Sequence, residues 1–208
     1  MESQTRKPDF RLFISINLTP ELLAALTDLQ SQLKRQLASH LLRWTRPEGI
    51  HLTLKFLGDT DTGRIEDIVR ALGQAVESHQ PFELSIGGLG CFPNQRKPRV
   101  LWVGVQDPDE RLRHLAASVD EAMAGLGWKR ENRPYTGHLT LARVKKYASS
   151  RDKQALGELL SAVTVADTLG VLPVQAIHLM RSQLRQDGAV YTSLINIPLT
   201  SPGPPTAP

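Results

Sequence analysis

The stretch His51-Leu52-Thr53-Leu54-Lys55-Phe56-Leu57-Gly58 decides how the chain is read, because its first four residues return in His138-Leu139-Thr140-Leu141-Ala142-Arg143-Val144. Each copy alternates polar and apolar residues, the period-2 pattern of a half-buried strand. Under strict alternation His51, Thr53 and Lys55 share one face, and Leu52, Leu54 and Phe56 the other. His138 and Thr140 oppose Leu139 and Leu141 in the same way. A lone His-x-Thr on a strand is usually a surface pair or a satisfied core histidine. A duplication that served packing alone would repeat the leucines, with no need to repeat both polar residues. The repeat therefore points to two similar halves, each supplying one imidazole and one hydroxyl.

Imidazoles titrate near neutral pH, so one can be neutral while its neighbour is protonated, giving an acid and a base in one pocket. In-line displacement at phosphorus brings the nucleophile in opposite the leaving oxygen. Base and acid must then flank the phosphorus from two sides, which suits contributions from two strands. A threonine on the same face can donate to a non-bridging oxygen. The constellation fits hydrolysis of a phosphodiester by His51 and His138, with Thr53 and Thr140 holding phosphate oxygens. His, Thr and His at these spacings lack the acidic or sulfur ligands that complete a zinc or two-metal centre. His79 and His178 have nothing in their context to add as ligands, so neither metal nor cofactor is expected.

Outward from the motifs, Phe10 to Leu18 reads as a strand, and Thr19-Pro20-Glu21 opens a helix to about Leu41, with Leu22, Leu26, Leu29, Leu33 and Leu37 as its buried stripe. His40 would then sit at the helix end, facing the dipole. Further helices are expected near 64–78, 107–126 and 152–163, and strands near 82–89 and 99–105, with a break at 58–63. His114 falls inside a helix, exposed or structural. The last strands, 174–183 and 189–199, join across Gln186-Asp187-Gly188, a strong hairpin signal. The pattern is α+β. It comprises one domain over 10–199, a flexible 1–9 and a disordered proline-rich tail over 200–208.

The length of 208 residues suits one compact domain, and Lys+Arg 25 against Asp+Glu 21 leaves a mild net charge of +4 that tolerates an anionic ligand. The single cysteine, Cys91, cannot form an intramolecular disulfide and reads as a packing residue. With no apolar leader and no run of transmembrane length, a cytoplasmic protein that does not engage membranes is expected.

The chain resembles the 2H phosphoesterases, and among them the RNA 2′,3′-cyclic phosphodiesterases, also called 2′-5′ RNA ligase-like proteins. The resemblance rests on Arg11-Leu12-Phe13-Ile14, Trp44, the stretch 51–58, Gly88-Leu89-Gly90, Phe92-Pro93, Pro98-Arg99-Val100-Leu101-Trp102, the stretch 138–143, Ser182, Gly188 and Tyr191. One departure is Gly137, where the family usually has proline. The resemblance implies two pseudo-symmetric lobes, each an antiparallel sheet with helices outside, facing across a central cleft. It implies opening of a cyclic phosphate at an RNA end, or of a cyclic nucleotide, to leave a 2′-phosphate. The reverse reaction would be a 2′-5′ ligation.

His51 is assigned as proton donor and His138 as proton acceptor, an order the residues alone do not fix. Arg143 matches the family's phosphate-contacting arginine, although its odd offset from His138 puts it on the wrong face unless the strand bulges. Phe13, Phe56, Phe92 and Tyr135 are candidates for stacking on a nucleobase. Lys129, Arg130, Arg133, Arg96 and Lys97 could meet flanking phosphates or simply be solvated. The protein is expected to act as a monomer. A non-catalytic nucleotide- or RNA-binding module of the same fold is the alternative.

Overall fold

The computed structural model describes residues 9–163, 165–185 and 188–200. In chain order the elements are β1 (Asp9–Ile16), α1 (Pro20–Gln36), β2 (Leu42–Trp44), β3 (Leu52–Asp61), α2 (Ile65–Val76), β4 (Phe82–Phe92), β5 (Val100–Gln106) and α3 (Arg111–Gly125). They continue with β6 (His138–Val144), α4 (Ser150–Ala162), β7 (Gly170–Val174), β8 (Ala176–Arg185) and β9 (Gly188–Pro198). The strands form one sheet in the order β7-β4-β5-β6-β3-β1-β8-β9, with β2 also paired to β6. Every pairing is antiparallel. The two halves meet where β3 touches β6, at the register pair Leu52 and Leu139. The expected α+β architecture of two antiparallel halves is present, and its seam runs between the two motif strands.

Each half is covered in part by a helix from the other. Helix α1 starts on Thr19, whose hydroxyl accepts from the Leu22 amide at 3.3 Å, with Pro20 in the first turn. It lies over the second half, where Gln30 reaches the Leu141 carbonyl at 3.0 Å. Helix α3 lies over β3, and just beyond it Trp128 Nε1 donates to the Leu57 carbonyl at 2.9 Å. Leu26, Leu52, Ile68, Leu72, Val119, Leu139, Leu141 and Leu179 are fully buried members of a single core. That shared core fixes the two halves relative to each other.

Several boundaries differ from expectation. Helix α1 stops at Gln36, and Leu37 stays buried by leaving the helix in an extended conformation. A short 3₁₀ turn over Ser39–Leu41 follows, held by Trp44 Nε1 donating to Ser39 Oγ at 2.8 Å. His40 therefore sits in a turn, its carbonyl accepting from Tyr147 Oη at 2.8 Å, not at a helix terminus. Strand β3 runs through Gly58, which adopts a φ of 72° that a side chain would disfavour. Strand β7 lies beyond the expected strands: it contains Pro173, which suits a sheet edge, and it forms that edge.

The β8–β9 hairpin forms as expected, with Arg185 opposite Gly188, though Gln186 and Asp187 of its turn lie outside the described residues. Residues 1–8 and 201–208 of the expected flexible ends lie outside them too. Asp9 begins β1, and the Thr200 amide donates to the His79 carbonyl at 3.0 Å. Among the described residues no helix is long and apolar enough to cross a membrane.

Candidate active site

The antiparallel sense of the Leu52–Leu139 pair sets the site. One step to either side, His51 comes beside Thr140 and Thr53 beside His138, on the face opposite the leucines. The four polar residues thus surround a pseudo-two-fold axis through the seam. Beyond it both strands carry a bulge at the same place. The β1–β3 register steps from Ser15–Thr53 to Ile14–Lys55, and the β5–β6 register from Trp102–Thr140 to Leu101–Ala142. Leu54 and Leu141 are the extra residues.

A bulge inverts the alternation that follows it. Lys55 turns to the helix side, where its ammonium pairs with the Asp120 carboxylate and donates to the Lys129 carbonyl at 2.9 Å. Phe56, 67% exposed, comes instead onto the His-Thr face, and Arg143 takes the equivalent position in the second copy. Strict alternation had placed Lys55 with His51 and Phe56 with the leucines, and the structure reverses both.

The two imidazoles have different surroundings. His51 lies against Phe13 with ring centroids 4.7 Å apart and meets the edge of Tyr191 at 5.0 Å. Burial pushes its pKa down to about 4; a hydrogen bond with the Gly49 backbone works the other way, and the charge of His138 lowers it further. His138 Nδ1 lies 2.9 Å from the Thr136 carbonyl; as the donor there, it leaves Nε2 as the nitrogen with the lone pair. Its ring meets Phe92 edge-on at 4.9 Å and Trp102 at 6.5 Å. Trp102 lies flat across Gly90, where a Cβ would come within 2.2 Å of the indole.

The model of LigT-like phosphoesterases matches this chain twice, over residues 16–102 and 103–191, one motif copy in each match. The chain belongs to that family. The RNA 2′,3′-cyclic phosphodiesterase of Methanothermobacter thermautotrophicus is 34% identical over 184 residues, covering 88% of this chain and 96% of that protein. That of Aquifex aeolicus is 30% identical over 170 residues, covering 81% and 88%. In three dimensions, a crystal structure of a Thermus thermophilus protein matches with a TM-score of 0.74 and 27% identity, over 92% of this chain and 98% of that one. Escherichia coli LigT shares the fold, with a TM-score of 0.74 at 22% identity, over 93% and 99%.

The remaining candidates of this LigT-like phosphoesterase divide by place. Phe13 is almost fully buried beside His51, and Phe56 lies 6.0 Å from it at the surface. Phe92 stands beside His138. Tyr135 is placed elsewhere: its ring packs against the core and its hydroxyl donates to the Thr53 carbonyl at 2.8 Å. Burial, with Asp107 nearby, raises its pKa. It is a latch on the first motif.

The second motif has a counterpart in Gln30, whose amide donates to the carbonyls of bulged Leu141 at 3.0 Å and Thr45 at 2.9 Å. In the basic link, Arg130 pairs with Glu121. Gly137 is filled from below, since a Cβ would come within 2.8 Å of Leu112, so the family's proline would require Leu112 to move. Sequence reasoning did not put Tyr191, Trp102 and Gln30 in the site. The first two carried only the resemblance, and Gln30 sits in a helix far from either motif.

Proposed function

We propose that this chain hydrolyses 2′,3′-cyclic phosphodiester ends of RNA, or 2′,3′-cyclic nucleotides, to 2′-phosphomonoesters. The observation that carries the reading is the Leu52–Leu139 pairing, which brings His51, Thr53, His138 and Thr140 to one face at the seam. The names of the relatives point to the same substrate. Water attacks phosphorus opposite the 3′ oxygen, His138 takes its proton, the bond to the 3′ oxygen breaks, and His51 protonates that oxygen. Thr53 and Thr140 donate to the non-bridging oxygens. Phe56, with Phe13 behind it, offers a face to the base.

Burial keeps the free His51 imidazole neutral down to about pH 4, so it takes up a proton from solvent as the substrate binds, the phosphodiester anion stabilising the imidazolium. Both motif copies lie in one chain, so a monomer suffices. Run backwards, the same groups would join a cyclic end to a 5′-hydroxyl through a 2′-5′ linkage, a secondary activity.

The test is incubation of an oligoribonucleotide bearing a 2′,3′-cyclic end, in excess chelator, with the product isomer identified. The expected product is the 2′-phosphate at undiminished rate. A 3′-phosphate product would contradict the leaving group, and binding without turnover would favour a non-catalytic RNA-binding module.

A further inference from the structure

We propose that Arg43 and Arg143 together hold the phosphodiester one nucleotide upstream of the cyclic end, so that the site reads an RNA chain rather than a lone cyclic nucleotide. The proposal rests on the function argued above and names its substrate class more narrowly. Strand β2 pairs with the second half of β6 and sets Arg43 directly opposite Arg143, which is also opposite Val100 of β5. Residues opposed in this way share a face with Cβ atoms about 4.5–5.5 Å apart, and like charges there repel. Both arginines are exposed, and among the described residues neither has an ion pair. Lys55, Arg70, Arg113 and Arg130, by contrast, each have a carboxylate partner. Two opposed cations without a counter-charge form a ready cradle for an anion, and the planar guanidinium suits phosphate.

The doublet is built, not incidental. The bulge at Leu141 brings Arg143 onto the motif face, and Gln30 grips that bulge and the Thr45 carbonyl just after β2. On the other side of β2, Trp44 is pinned by Ser39 Oγ at 2.8 Å and covered by Lys34 at 5.5 Å. Arg143 lies three residues beyond Thr140 on the same strand, roughly 10 Å at about 3.3 Å per residue, a distance suited to the next backbone phosphate. The reacting phosphate is already bracketed by the four motif groups, which leaves the doublet for its neighbour.

The test compares kcat/KM on a 2′,3′-cyclic mononucleotide and on a trinucleotide with a 2′,3′-cyclic end, for the wild type, Arg43→Ala and Arg43→Lys. A third substrate carries a neutral methylphosphonate at the linkage next to the cyclic end. Arg43→Ala should lower kcat/KM on the trinucleotide roughly tenfold, through KM, and leave the mononucleotide within about twofold. Arg43→Lys should recover part of the loss, and the salt slope on the trinucleotide should shrink by about one in Arg43→Ala. The methylphosphonate should reduce the wild type to the level of Arg43→Ala and leave that variant unchanged.

Equal losses on mononucleotide and trinucleotide, or indifference to the methylphosphonate, would overturn the proposal. Failure of the wild type to turn over any substrate would instead strike the function proposed above. The doublet would then be judged by binding of a trinucleotide ending in a 2′-phosphate, which Arg43→Ala should weaken by the same factor and must weaken for the proposal to stand.

Discussion

The two motif strands have the same four residues, the same bulge and the same position relative to the seam, yet they make different sites. In the first copy the histidine is enclosed by Phe13 and Tyr191 and driven to a pKa of about 4, and the residue five places on is Phe56. In the second the histidine meets Phe92 and Trp102 only edge-on or at a distance, and the residue five places on is Arg143. The backbone preserves the duplication while the surroundings divide the labour. One half sets an apolar wall beside its histidine, and the other an exposed arginine.

The largest expected effect asks whether the two histidines have distinct roles. His51→Ala and His138→Ala should each lower kcat by about 10²–10⁴-fold, with losses that do not add in the double variant. A 2′,3′-cyclic substrate with sulfur at the 3′ bridging position has a leaving group that needs no proton. Rate measurements should then show His51→Ala restored towards wild type and His138→Ala not. Rescue of His138→Ala instead would reverse the assignment, and rescue of neither would remove the acid role from both.

A second contrast separates the residues five places beyond each histidine. Arg143→Ala should cost about 1.5–3 kcal/mol, or 10–10²-fold in kcat/KM, as the loss of a charge-assisted contact. Phe56→Ala should cost about 1 kcal/mol, roughly fivefold, seen in KM as lost stacking. Equal effects on both parameters from the two variants would erase the proposed division.

The clamps should separate by chemistry. Gln30→Leu leaves buried carbonyls short of a donor and should lower stability by about 1–3 kcal/mol in urea unfolding. Tyr135→Phe removes one hydroxyl donor and should cost about 1 kcal/mol. A larger loss from Tyr135→Phe than from Gln30→Leu would show that the first motif, not the second, depends more on its clamp.

The last contrast lies in stability against pH. The pKa of His51 in the folded chain, about 4, is below its unfolded value of about 6.5. Between those values the unfolded chain binds more protons, so stability is fully present above about pH 6.5 and falls as the pH drops towards 4. His51→Gln should flatten that slope in denaturant midpoints measured at pH 7.5 and pH 5. Parallel curves for both proteins would deny that burial holds this ring neutral.

Much of this was legible from residues. The repeated His-Leu-Thr-Leu located the two strands that meet at the seam, and the leucine stripe of α1 was right down to Leu37, even though the helix itself ends one residue earlier. What strict alternation could not supply was the bulge. It reverses Lys55 and Phe56 and brings Arg143 to its place, and it depends on partner strands that no local pattern reveals. Gln30 and Tyr135 were illegible for the same reason, since each acts on a carbonyl contributed by the opposite half of the chain.

The central claim is that His51 and His138 grip one phosphate between them. Imidazole NMR of the protein, with each signal identified through the corresponding histidine variant, would follow both rings during titration with a 2′-nucleotide. Both resonances should shift with a single dissociation constant at one ligand per chain, towards the protonated form for His51. Movement of only one ring, or two rings responding with different affinities, would place them in separate sites and contradict the account.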